Sequence, residues 1–134
     1  VENLSNTDKR LRLSSARALS KYNNLSDKQI PNIIELLTDE DNKTRMAAVV
    51  IIKNNTEVST KQIPRILELM KNENTEIRAA SAVAVGKLGA SDQKDVKPIL
   101  TLLTDTDPIA RTNLILALGD LGTSAANYSD EVAI

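Results

Sequence analysis

The stretch "RMAAVVIIK", residues 45–53, decides the fold: from Met46 to Ile52 it holds seven apolar residues in succession, four of them β-branched. Taken alone it reads as a buried strand, because Val and Ile suit a pleated surface and lose rotamer freedom in a helix. Periodicity cannot assign a run this short, so its counterparts elsewhere in the chain must decide. Arg12, Arg45, Arg78 and Arg111 recur at a spacing of 33, as do Leu4, Leu37, Met70 and Leu103, and the series Asp8, Asp41, Asn74 and Asp107. Ile33, Ile66, Ile99 and Val132 form a further column. The chain is an internal repeat.

Each unit opens with a segment such as "KQIPNIIELL", "KQIPRILELM" or "DVKPILTLL", whose apolar residues fall at helical spacing, as Ile30, Ile33, Ile34 and Leu37 show. We name it helix A. After a polar turn such as "TDEDN" comes helix B: "RLSSARALSKY", "RMAAVVIIKN", "RAASAVAVGKL" and "RTNLILALGDL". The copies of Met46–Ile52 are rich in the helix formers Ala and Leu, and Gly89 and Gly122 follow two of them where a left-handed cap is expected. The run is therefore predicted to be helix. Asp41 and Asp107 stand at N-cap positions, Pro108 suits the first turn, and Pro31, Pro64 and Pro98 sit near the start of helix A, where a missing N–H loses little. The layout is one array over 1–134: an orphan helix B at about 8–22, repeats at about 27–54, 60–88 and 93–121, and the start of a further helix A at about 129–134. "VENL" aligns with "IELL", so the array is expected to be a segment of a longer solenoid. Its uncapped terminal repeats offer end-to-end self-association.

Composition narrows the function classes. Seventeen basic against eighteen acidic residues give a net charge of −1, which offers no global field for nucleic acid or an anionic membrane. The chain has no Cys, His, Trp or Phe, so the usual proton shuttle, the commonest metal ligand and large aromatic anchors are missing. No catalytic constellation, metal site or cofactor motif stands out. No apolar stretch is long enough to span a bilayer, and a cytoplasmic location is expected.

The pattern "P-I-L-x-L-L-x-D" followed by "R-x-x-x-x-x-A-L-G-x-L-G", clearest from Pro98 to Gly122, resembles HEAT repeats, in particular the short bacterial type of phycobilin-lyase-related proteins. The ankyrin and tetratricopeptide patterns of similar period are not present. The resemblance implies an all-α fold, a right-handed α-solenoid of stacked antiparallel helix pairs. It also implies a ladder in which the Asp of the turn and the Arg opening helix B link neighbouring units. Arg12, Asp39, Arg45, Arg78, Asp105 and Arg111 occupy those places, while Asn6 and Asn72 replace the Asp beside Arg12 and Arg78, so weaker rungs are expected there. Stacked arginines could also grip phosphates, but neighbouring carboxylates favour the structural ladder, and the only aromatic residues are Tyr22 and Tyr128.

At about 100° per residue, Thr44, Ala48, Ile51, Ile52 and Asn55 share the face expected to meet helix A. The opposite stripe carries Met46, Val50 and Lys53, with Leu13 and Arg17, Val83 and Lys87, and Leu116 in the other copies. Helix B lines the concave surface in HEAT arrays, so the resemblance places this stripe in the groove. Two readings stay open: a peptide or protein groove with basic flanks, or apolar residues covered by neighbouring B helices. Polar residues of helix A, such as Glu35, Lys61 and Arg65, are read as a solvated outer face. The functional expectation is a non-catalytic scaffold for a protein or peptide, with no nucleic acid and no membrane. The alternative is a bilin lyase-like or other enzyme accessory subunit, or the sensor region of a larger signalling protein.

Overall fold

The computed structural model describes residues 2–88, 104–109, 111, 112 and 115. A 3-10 turn (Glu2–Ser5) leads to α1 (Lys9–Leu19), α2 (Ile30–Glu35) with a 3-10 extension (Leu36–Thr38), and α3 (Asn42–Asn54). Then come α4 (Thr56–Ser59), a 3-10 turn (Thr60–Gln62), α5 (Ile63–Leu69) and α6 (Thr75–Leu88). The described residues contain no strand, and the fold class is all-α, built from the helix hairpins of which α-solenoids consist. The chain divides by its internal contacts into two units, Val1–Arg65 and Ile66–Ile134.

Met46–Ile52 lies inside α3, so the repeat column and not local propensity decides its conformation. Asp41 caps that helix with extended φ and ψ, its carboxylate accepting from the Thr44 N–H at 3.0 Å and from the Thr44 hydroxyl at 2.9 Å. In the first unit α3 is the central element, packed on α1, α2, the Leu36–Thr38 turn and α4. Its Ala48, Ile51 and Ile52 lose all solvent contact, as do Ile30, Ile33, Ile34 and Leu37 of the helix A segment. Burying each large side chain contributes roughly 1.5 to 3 kcal/mol. Pro31 sits in the first turn of α2, where no helical hydrogen bond is lost.

α1 stops at Leu19, short of the expected residue 22. The Ser20 hydroxyl bonds back to the Arg17 carbonyl at 2.7 Å, and the Asn54 amide takes the Ser20 carbonyl at 2.7 Å, so side chains replace the next helical bonds. Asn55, four per cent exposed, secures the rest of that connection. Its carbonyl oxygen accepts from the Leu25 N–H at 2.9 Å, and its amide donates to the Tyr22 carbonyl at 3.0 Å and the Ile51 carbonyl at 2.9 Å. "SDKQ" at 26–29 then starts helix A as half of a capping box, the Gln29 side chain accepting from the Ser26 N–H at 2.9 Å. "STKQ" at 59–62 does not repeat this: Ser59 is buried at the end of α4 and its hydroxyl has no hydrogen-bond partner.

In the second unit α6 is apolar nearly all round, and nine of its fourteen residues are buried. The two terminal glycines, most of the repeat at 93–121 and the helix A start at 129–134 lie outside the described residues.

Candidate functional site

Two sets of residues qualify: the arginine column at the A–B turns and the stripe on the B helices. The turn is the same device four times. The side-chain oxygens of Asn6, Asp39, Asn72 and Asp105 each accept the backbone N–H two residues on, every time at 2.9 Å. Asp8, Asp41, Asn74 and Asp107 then cap helix B, accepting backbone N–H groups at 2.8 to 3.0 Å. The arginine that follows closes the turn. Nη1 of Arg12, Arg45, Arg78 and Arg111 donates to the carbonyl six residues back at 2.7 to 2.9 Å and to the carbonyl five residues back at 3.1 to 3.2 Å.

The rest of the guanidinium makes the rungs. Arg12 donates to Asp39 from Nε at 2.7 Å and from Nη2 at 3.3 Å, and also reaches Glu40 at 3.1 Å. Arg78 grips Asp105 in the same two-pronged way, at 2.9 and 3.1 Å. Both carboxylates stand 27 residues ahead, in the following repeat. This corrects the expectation of weaker rungs at Arg12 and Arg78: both are ionic, because the partner is the Asp of the next turn, and the Asn of their own turn gives the arginine only its backbone carbonyl. Asp39 gives Arg45 its backbone carbonyl and keeps its carboxylate for Arg12. The Arg78 guanidinium and the Asp107 N–H hold the Asp105 carboxyl below the usual carboxylate range. The Thr44 hydroxyl and N–H do the same for Asp41. All four arginines are thus turned onto their own turns.

The B-helix stripe is uneven. On α3, Met46 is 38% and Val50 45% exposed, with Lys53 exposed beside them, whereas Ile51 has no exposure. On α1, Arg17 is exposed and Leu13 half-buried; both border an open depression of about 520 Å³ together with Arg10, Ser14 and Lys21. On α6, Val83 and Lys87 are half-buried and Ala79 and Gly86 are closed off, so this part of the stripe is covered more than that on α3. Small residues let the surroundings approach this helix closely. Leu116 lies outside the described residues. The sequence places Asn55 on the face toward helix A, and the structure adds its role as the amide that ties the Tyr22–Leu25 connection; the signal was an amide at a core position, which needs partners.

Among the described residues no group of three or more His, Cys, Asp or Glu side chains could hold a metal, and no helix is long and apolar enough to cross a membrane. No curated protein matches the sequence. Two engineered proteins solved as targets of the Northeast Structural Genomics Consortium share the fold. One is 17% identical with a TM-score of 0.60, over 98% of this chain and 67% of its own. The other is also 17% identical with a TM-score of 0.58, over 90% of this chain and 60% of its own. The present chain thus spans about two thirds or less of their length. A family model described as HEAT repeats matches residues 63–128. The same turn device and arginine register are also present in residues 6–45, so the likeness to HEAT repeats extends on both sides of the matched boundary at residue 63.

Proposed function

We propose that the chain is a non-catalytic interaction module that takes a protein or peptide partner along the B-helix stripe centred on Met46 and Val50. One observation carries this reading: α3 is enclosed by four other elements, yet it keeps two adjacent large apolar side chains in water at one helical turn's spacing. Single exposed apolar residues are ordinary; a pair in line with Leu13, flanked by Arg17 and Lys53, has the composition of a recognition surface. The polar chemistry nearby is spent on turns and rungs, which supports a scaffold in preference to an enzyme.

Affinity capture with the wild-type chain and with Val50→Asp tests it. The expected result is a set of proteins retained by the wild type and lost by the variant, at an unchanged denaturation midpoint. If the folded variant retains the same proteins, the stripe is not the contact surface.

A further inference from the structure

The net charge of −1 conceals a segregation. α1 and α3 together carry seven basic residues and no acidic one: Lys9, Arg10, Arg12 and Arg17 on the first, Lys43, Arg45 and Lys53 on the second. Arg12 and Arg45 are committed to the turns. On the helix A side of the same unit the charges cancel in pairs, Lys61 with Asp27 at 3.0 Å and Arg65 with Glu35 at 3.0 Å. On the B side Arg10 meets Asp8 at 3.4 Å, with Arg10 itself largely exposed, Lys9 and Lys43 lie near enough to Asp41 to favour its charged form, and among the described residues Arg17 and Lys53 form no ion pair. Helical register puts Arg10, Leu13 and Arg17 on one line of α1 and Lys43, Met46, Val50 and Lys53 on one line of α3, cations at the ends and aliphatic groups between. The α3 line is about 15 Å long.

Resting on the reading above, we propose that this face of residues 9–53 selects an acidic amphipathic peptide segment, whose aliphatic side chains cover Met46, Val50 and Leu13 while its carboxylates meet Arg10, Arg17, Lys43 and Lys53. Charge complementarity supplies the sign of the partner, and the interleaved methyl groups supply its class. A nucleic acid would satisfy the cations but leave the aliphatic stripe without a counterpart, and no aromatic platform for bases lies on either helix. A peptide uses both halves of the surface.

The test is fluorescence anisotropy with a labelled helical peptide of Glu, Ala and Leu, about 15 residues and so roughly 22 Å long. Its Glu→Gln counterpart and a single-stranded oligothymidine of similar charge serve as competitors. The acidic peptide should bind with a Kd in the micromolar range and weaken at least tenfold with Glu→Gln, and also between about 50 and 300 mM salt. Arg17→Glu with Lys53→Glu, and separately Met46→Ser with Val50→Ser, should each cost tenfold or more while circular dichroism melting stays unchanged. Equal binding of the two peptides, or a charge-reversed variant that keeps its affinity, overturns the acidic partner and leaves the interaction reading standing. Competition by oligothymidine that survives Met46→Ser with Val50→Ser would make this a polyanion site and also overturn it. So would no binding of the acidic peptide, while the capture experiment, which presumes no charge on the partner, judges the broader reading separately.

Discussion

α1 and α3 are two copies of one segment, and they do not have the same job. α1 keeps a single residue, Ala16, fully buried, whereas α3 buries seven of its thirteen, Arg45 among them. The arginine column shows the difference in one side chain. Arg12 lies at 13% exposure and spends its charge on Asp39 and Glu40; Arg45 is 2% exposed and turns its Nη1 onto two carbonyls of its own turn. The same residue in the same register is a clamp between repeats in one copy and part of the interior in the next. How deeply the surrounding helix is buried decides how much each shared residue contributes.

The largest test of that contrast is Ile51→Asp, which places an unpaired charge in the enclosed face of α3 and should cost more than about 4 kcal/mol, enough to unfold the unit by circular dichroism. Ala18, the corresponding residue of α1, is exposed, so Ala18→Asp should change the midpoint little, by less than about 1 kcal/mol. Next comes Arg45→Ala, which strips donors from two carbonyls and empties a buried volume; a loss of about 2 to 4 kcal/mol in denaturant titration is expected. Arg12→Ala, and Arg78→Ala in the second unit, should cost about 1 to 3 kcal/mol each through the lost two-pronged bonds. If Arg12→Ala proves the costlier of the first pair, burial is not what separates the copies.

Acid adds a sharper reading of the rungs. Asp105 is held below the usual carboxylate range by Arg78 first and the Asp107 N–H second. A carboxyl depressed on folding stabilises the protein fully above its unfolded value, and that share is lost as pH falls through the folded one, so stability should hold above about pH 5 and decline below about pH 4. In Arg78→Ala the acid-dependent part should shrink. The smallest effect belongs to Val50→Asp, within about 1 kcal/mol of wild type, because its side chain is already in water. Should it prove as damaging as Ile51→Asp, α3 has no open side.

Much of this was legible before any coordinates. The columns of Arg12, Asp8 and Ile33 gave period, helix type and the caps, because those features depend on neighbours a few residues away. The face assignment of Ile51 against Val50 followed from helical angle alone. The rung partners were not legible, since a spacing of 33 is equally compatible with an Asp six residues back or 27 residues ahead, and only packing distinguishes them. Nor was the half-burial of Val83: its own sequence resembles that of Val50, and exposure depends on what covers the helix. The Ser26 and Ser59 motifs make the same point, near-identical tetrads that begin a helix in one place and end one in the other.

The turn has a consequence for how such arrays diverge. Asn6 and Asn72 fold the turn as Asp39 and Asp105 do, because it uses only the oxygen both side chains share. The grip of the preceding arginine uses the second oxygen, which Asn lacks. One nucleotide separates the codons of Asn and Asp, so a lineage can attach or release a clamp between two repeats in a single mutational step without reshaping either. One side chain thus serves the local turn through one oxygen and the neighbouring repeat through the other.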